Sequence, residues 1–175
     1  MHPKTILGID PGTKEMGFAV LRDRSLLGGG VQTLRNGEHP HNVVGHAKQV
    51  LLWNLKRYGP TVVGIEKPIR MNTKRAALMS VIVQELHARS RELGLEVCEI
   101  WPHEVRDTVT GDPYAKKIEV ARFIVDKHFP DLRPRLPVPP RRAVLGFSSR
   151  DRYWLHMFDA LAVAIAARDT IVHRE

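Results

Sequence analysis

The segment ILGIDPGTKEMGFAVL, residues 6–21, consists of two apolar runs on either side of a Pro-Gly-Thr turn. The first run ends in a single acid, Asp10. Short apolar runs bounded by turn residues are typical of buried strands, so the segment predicts the first two strands of an antiparallel meander. A carboxylate at the end of a core strand costs free energy unless it is paired or binds a metal. Asp10 is therefore a candidate functional residue.

The remaining hydrophobic pattern predicts further strands and helices. The predicted strands are roughly Leu26–Leu34, TVVGI at 61–65 and LEVCEI at 95–100, and the predicted helices are Asn42–Arg57, Thr73–Leu93, about Tyr114–His128 and about Arg152–Thr170. Alternation of strands and helices after the meander indicates an α/β fold whose sheet is partly parallel.

The length of 175 residues and the hydrophobic content of 43% favour one domain over residues 1–175. One stretch interrupts the helical pattern, because five prolines fall within the eleven residues from Pro130 to Pro140. We expect a Pro/Arg-rich loop at about 130–152. Its arginines could bind an anionic partner, or the loop could be a solvated linker.

The composition is strongly basic, with 27 Lys and Arg against 19 Asp and Glu, a net charge of +8 and a pI near 10.0. This charge favours a polyanionic partner, above all nucleic acid, although a solvated basic surface is the alternative. The single cysteine, Cys98, excludes a disulfide framework and a cysteine-based zinc site. Its apolar neighbours predict a core position. Without a signal peptide or a long apolar stretch, we expect a cytoplasmic protein with no membrane segment.

Two more acids occupy positions like that of Asp10. Glu66 follows the apolar TVVGI, and Asp159 lies within an apolar helical segment, three residues after His156. That spacing places His156 and Asp159 on one helix face. Oxygen-rich clusters of this kind bind Mg²⁺. Individually, Asp10 could cap its turn, Glu66 could pair with Lys67, and His156 could be an ordinary buried histidine.

Four motifs together resemble the RuvC family of Holliday junction resolvases, within the RNase H-like superfamily. They are LGIDPGTKEMGFAV, VVGIEKP, RDTVTGDPYAKKIEVARFIV and HMFDALAVAIAA, in the order and spacing of that family. The resemblance implies an RNase H-like fold with a mixed five-stranded sheet flanked by helices. It also implies a homodimer that makes paired nicks in four-way junction DNA during recombination and repair, and it allows branch-migration proteins as further partners.

The resemblance also implies roles for individual residues. The metal-binding set would be Asp10, Glu66, His156 and Asp159, holding two Mg²⁺ ions per site with Mn²⁺ as a substitute, and Lys117 would assist catalysis. The expected DNA contacts are Thr13, Lys14, Lys67, Ile69, Arg70, Lys74, Arg75, Lys116, Arg141 and Arg142. The chain departs from the family after the second acid, where EKPIRMNTKR offers no aromatic residue and only Ile69 or Met71 could wedge between bases.

Oligomeric state and rival functions depend on other features. The helical segment AALMSVIVQEL is apolar nearly all round, which predicts a two-fold dimer unless another helix of the same chain covers it. The main alternative function is another RNase H-like nuclease, such as a YqgF-type RNA-processing enzyme. An ATPase that binds phosphate at the DPGT turn would need a second domain, and a purely architectural DNA-binding dimer would leave the acids without a role.

Overall fold

A computed structural model of the protein describes residues 4–34, 39–69, 72–138 and 148–172. Within these residues, the strands are β1 (Thr5–Asp10), β2 (Glu15–Arg22), β3 (Ser25–Thr33), β4 (Val62–Glu66) and β5 (Glu96–Ile100). The helices are α1 (Pro40–Tyr58), α2 (Lys74–Glu92), α3 (Pro102–Thr110), α4 (Lys117–Lys127) and α5 (Ser149–Val172). None of the described helices is both long and apolar enough to cross a bilayer.

The five strands form one mixed sheet in the order β3-β2-β1-β4-β5. β1, β2 and β3 pair antiparallel, whereas β4 and β5 continue parallel to β1. Parallel neighbours need a crossover connection, and the helical segments between β3 and β4 and between β4 and β5 supply these connections. The predicted α/β fold with a mixed five-stranded sheet is therefore confirmed.

Alternation along β1 divides the hydrophobic core into two layers. Leu7 and Ile9 are buried with side chains from α1 and α2, and Ile6 is buried on the opposite face with α3, α4 and α5. Successive side chains in a strand point to opposite faces, so Gly8 and Asp10 share the face of Ile6. β1 therefore directs its only acid toward α5.

Helix α5 lies unusually close to the sheet. A Cβ built on Gly8 would stand 2.2 Å from the carbonyl oxygen of Ala160, and one built on Gly17 would stand 2.1 Å from the carbonyl oxygen of His156. Both distances are shorter than any real contact allows, so only glycine fits at these two positions. The run of alanines in α5 serves the same close approach, because these small side chains are buried against the strands.

Some elements differ from the prediction. Helix α3 was not predicted, although Pro102 at its first turn and Glu104, whose carboxylate accepts a 2.8 Å hydrogen bond from the backbone N–H of Trp101, are helix-start signals. Residues Pro130–Arg135, predicted as loop, form a short 3₁₀ helix. Helix α4 begins at Lys117 rather than near Tyr114, and α5 begins before the expected Arg152. The expected burial of Cys98 is confirmed.

Candidate metal and nuclease site

The carboxyl ends of β1 and β4 bring two of the predicted acids to one edge of the sheet. These strands are parallel neighbours whose register pairs Gly8 with Gly64 and Ile9 with Ile65, so Asp10 and Glu66 occupy equivalent positions at the next step. Both belong to the face covered by α5. Asp10 is only 6% exposed and Glu66 is partly buried, which is costly for two carboxylates.

Helix α5 supplies the other two predicted ligands. The Nδ1 atom of His156 lies 2.7 Å from Oδ2 of Asp10, and Asp159 lies one turn further along the same helix. Asp10, His156 and Asp159 each offer one ligand atom, and these three atoms lie within 4.8 Å of one another. On its outer side, Nε2 of His156 is 3.7 Å from a carboxylate oxygen of Glu15.

Lys117, the first residue of α4, closes the cluster from the side. Its ammonium group donates a hydrogen bond to Oδ2 of Asp159. The start of α4 is fixed by Glu119, whose carboxylate accepts a 2.7 Å hydrogen bond from the backbone N–H of Lys116. Lys117, Asp159 and Glu66 line one small cavity beneath this edge of the sheet.

Two carboxyl groups, those of Glu66 and Asp159, resist ionisation in this arrangement. Burial, reinforced by the nearby carboxylates of Asp10 and Asp159, raises the pKa of Glu66 from 4.5 to about 8. Burial likewise raises the pKa of Asp159 from 3.8 to about 6, although the Lys117 ammonium opposes the shift. Burial alone would lower the pKa of Lys117, but the carboxylates of Asp159, Asp10 and Glu66 together outweigh burial and raise that pKa above its ordinary value. The hydrogen bond to Asp10 raises the pKa of His156.

These donors fit a divalent cation. Two carboxylates and one imidazole within 4.8 Å offer the oxygen-rich ligand set that Mg²⁺ or Mn²⁺ takes. The raised pKa values of Glu66 and Asp159 show that negative charge is unfavourable here, and a bound cation would neutralise that charge. Glu66 lies outside this three-residue group and reaches the cluster through the cavity that it shares with Asp159. The structure thus joins three of the four predicted ligands directly, with the fourth beside them.

A groove of about 570 Å³ leads to the cluster between the start of α2 and the start of α3. Its lining includes four basic side chains, namely Lys67, Arg75, Arg106 and Lys117. Arg106 was not singled out in the sequence, although it opens the motif RDTVTG, because the helix that carries it was not predicted. Its guanidinium lies close enough to Glu66 to oppose the rise in that residue's pKa.

The other predicted DNA contacts are distributed unevenly. Lys14, Lys74 and Lys116 are exposed, and Ile69 is 64% exposed on the wall of the groove. Thr13 is only 6% exposed, so the structure does not favour the expected contact between its hydroxyl and DNA. Arg70, Arg141 and Arg142, with Met71, lie outside the described residues.

Residues 6–131 match the family model described as "Crossover junction endodeoxyribonuclease RuvC". The chain belongs to the RuvC family. The family match includes Asp10, Glu66 and Lys117 but ends before α5, so the positions of His156 and Asp159 rest on the geometry above.

Individual RuvC proteins extend this finding. The RuvC protein of Thermobifida fusca is 30% identical over 148 residues, which cover 79% of this chain and 76% of that protein. The RuvC protein of Chlorobaculum parvum is 27% identical over 124 residues, which cover 68% of this chain and 66% of that protein.

Solved structures agree in fold. Thermus thermophilus RuvC superposes with a TM-score of 0.72 at 24% identity, covering 97% of this chain and 96% of that one. The yeast mitochondrial Holliday junction resolvase Ydc2 gives a TM-score of 0.63 at 13% identity, covering 99% of this chain and 82% of that one. At these identities the similarity establishes the RuvC fold and not the details of the site.

Proposed function

We propose that this chain is a metal-dependent endonuclease that resolves four-way DNA junctions by paired, symmetric nicks. The observation that carries the proposal is the convergence of Asp10, His156 and Asp159, with Glu66 and Lys117 beside them, at the end of a groove with basic walls. An architectural DNA-binding protein would need the basic surface but not the buried acids. Membership of the RuvC family supports four-way junctions as the substrate.

The metal ions would be held by Asp10, His156 and Asp159, with Glu66 completing the set. We propose Mg²⁺, two ions per site, with Mn²⁺ as a substitute. When bound, such ions activate water and stabilise the leaving oxygen of a phosphodiester. Three carboxylates balance only three of the four charges on two Mg²⁺ ions, so the scissile phosphate supplies the remaining negative charge.

Lys117 would stabilise charge on the scissile phosphate. Because its pKa is raised, its side chain is protonated at neutral pH and acts as a fixed positive charge and not as a general base. Its ion pair with Asp159 holds the ammonium at the edge of the metal cluster. Arg106, on the same small cavity, adds a second cation in a position to contact DNA phosphate.

The basic groove would hold the DNA strand that enters the site. Phosphate contacts from Lys67, Arg75 and the exposed Lys14, Lys74 and Lys116 fix position without reading sequence. We also retain Arg70, Arg141 and Arg142 as proposed contacts. The wall residue Ile69 is exposed enough to pack against bases at the junction centre.

The active protein would be a homodimer, since each chain carries one site and a junction offers two equivalent strands. The structure leaves an exposed stripe along α2, formed by Ala77, Val81, Gln84 and Ala88 at helical spacing. Val81 is 45% exposed at its centre. We expect Val81→Glu to lower the dimer fraction measured by light scattering, with Leu27→Glu on β3 as the exposed control.

Cleavage of a mobile four-way junction, mapped on each of its four strands in turn, tests the function. We expect cuts at matching positions on two opposite strands, dependent on Mg²⁺ and lost in Asp10→Asn. A structured RNA of similar size serves as the competing substrate. Cutting of that RNA with an intact DNA junction would instead support the YqgF-type alternative.

A further inference from the structure

Tyr114 is the most exposed large apolar side chain in the described part of the molecule, at 86%. Other exposed aromatic rings there have partners in the same chain, in the pairs Trp53–Phe18, Trp101–Lys67 and Tyr153–Trp154. Among the ring contacts of the described residues, none involves Tyr114. Both faces of this ring are therefore open to a ligand.

The loop that carries Tyr114 is held firmly. The backbone N–H of Tyr114 donates a 2.9 Å hydrogen bond to the side chain of Asp112, whose own N–H donates to the hydroxyl of Thr110 at 3.1 Å. Next in the chain, Ala115 is buried and anchors the loop in the core. Because this loop is already ordered before any ligand arrives, binding to the exposed ring costs little further conformational entropy.

The position of the loop relates this ring to the metal cluster. Tyr114 precedes Lys117 by three residues, so their Cα atoms are at most about 11 Å apart. That span equals roughly three stacked nucleotides at about 3.4 Å each. Two lysines, Lys116 and Lys117, follow the ring after Ala115 and can hold the phosphates of the same strand. The segment KPIRMNT after Glu66 contains no aromatic residue that could stack on a base instead.

We propose that Tyr114 is the stacking platform for an unpaired nucleobase of the cleaved strand, one to three nucleotides from the scissile phosphate. This proposal rests on the proposed function, because it presumes DNA in the groove. Every base has a flat face, so the contact selects an unpaired base rather than a particular sequence. Unpairing costs the least free energy for bases at the point where the four arms meet. Stacking of such a base on Tyr114 would therefore place the metal cluster near that point.

The test uses junctions that carry one 2-aminopurine, a fluorescent base quenched by stacking, at each of the three nucleotides on either side of the cut. The full-length Asp10→Asn protein is used so that the junction remains intact. We expect quenching at one of these positions. Tyr114→Ala should abolish it and weaken junction binding about fivefold to a hundredfold, whereas Tyr114→Phe should retain both. Val172→Ala, exposed at the far end of α5, is the matched control.

Unchanged quenching and affinity in Tyr114→Ala would overturn the proposal. The same 2-aminopurine series in single-stranded DNA is measured in parallel, so the role of the ring is decided even if the protein cuts no junction. Absence of junction cleavage in the wild type refutes the proposed function, whereas normal cleavage with quenching independent of Tyr114 refutes only the stacking platform. Because the Tyr114 side chain is 86% exposed, an unchanged melting temperature is expected for Tyr114→Ala.

Discussion

On one face of the sheet, Leu7 and Ile9 of β1 pack into a layer of large aliphatic side chains with α1 and α2. On the other face, the same strand contributes Ile6, then Gly8, where α5 approaches closely, and Asp10, which contacts His156 of α5. A single strand thus supplies packing to one face and an acid of the candidate metal cluster to the other. The packing face tolerates any good fit of apolar volume, whereas the site face constrains both side-chain size and charge.

The largest difference between the faces should come from neighbouring residues of β1. Asp10→Asn removes a ligand and a negative charge, and we expect junction cleavage to fall at least about a thousandfold. Ile9→Val, one residue earlier on the packing face, should cost about 0.5–1.5 kcal/mol of stability and leave the cleavage rate unchanged. Single-turnover cleavage assays and chemical denaturation measure the two effects. Near-normal cleavage by Asp10→Asn would remove this residue from the proposed metal set.

The next effect distinguishes loss of stability from loss of geometry. In Gly8→Ala the new Cβ would meet the Ala160 carbonyl at 2.2 Å, so α5 must move outward with His156 and Asp159. We expect the free energy of unfolding to fall by about 3 kcal/mol and junction cleavage to be lost. Leu7→Ala on the packing face should lower the free energy of unfolding by a similar amount, about 2–5 kcal/mol. This variant should nevertheless cleave junctions at temperatures below its melting temperature. Equal activity in the two folded variants would contradict the tight fit of α5.

A smaller effect follows from the acids on the site face. The pKa of Glu66 is about 8 in the folded protein and 4.5 ordinarily, so without metal the folded state binds more protons than the unfolded state between these values. The melting temperature of the metal-free protein should therefore fall as pH rises from about 4.5 to 8, apart from the contributions of other groups. Mg²⁺ should raise it more at pH 8 than at pH 5.

Glu66→Gln should remove most of this pH dependence, and Glu85→Gln, an exposed acid on α2, should leave it in place. Differential scanning calorimetry with and without chelator provides the measurement. If the stabilisation by Mg²⁺ is the same at both pH values, the ion does not relieve the charge of these buried acids.

The smallest effect is expected on the packing face, at its surface. Lys48 on α1 and Glu85 on α2 form a 3.0 Å ion pair whose side chains are 40% and 45% exposed. Exposed pairs contribute about 0.2–1 kcal/mol, so Lys48→Met should change the free energy of unfolding by less than about 1 kcal/mol. A double-mutant cycle with Glu85→Gln measures the coupling. A coupling several times larger would indicate that α1 and α2 depend on this charge pair.

Much of the fold could be predicted because the strands have clear hydrophobic patterns. The helix predicted at Thr73–Leu93 was observed as α2, with the hydroxyl of Thr73 accepting a 3.1 Å hydrogen bond from the N–H of Ala76. Helix α3 escaped prediction because its nine residues present only Val105 and Val109 to the core, too few to establish a period. Its boundaries are set instead by capping and by contacts with α4 and α5.

The candidate acids of the site could be named from the sequence, but their arrangement in space could not be predicted. The i,i+3 spacing predicts that His156 and Asp159 share a helix face, but only the packing of α5 reveals that His156 contacts Asp10. Arg106 could not be assigned because a surface arginine has no pattern of its own until its helix is located. The burial of Thr13 depends likewise on tertiary packing.

The separation of Asp10 from His156 by 146 residues has a consequence for synthesis on the ribosome. Asp10 therefore leaves the exit tunnel well before the helix that carries His156 and Asp159 has been made. Since α5 also packs across β1, β2 and β4, a nascent chain that lacks it has one sheet face partly uncovered and only half of the proposed metal-binding set. We therefore expect a chain interrupted before α5 to be inactive and not an unregulated nuclease, with cleavage competence gained only once α5 has been made.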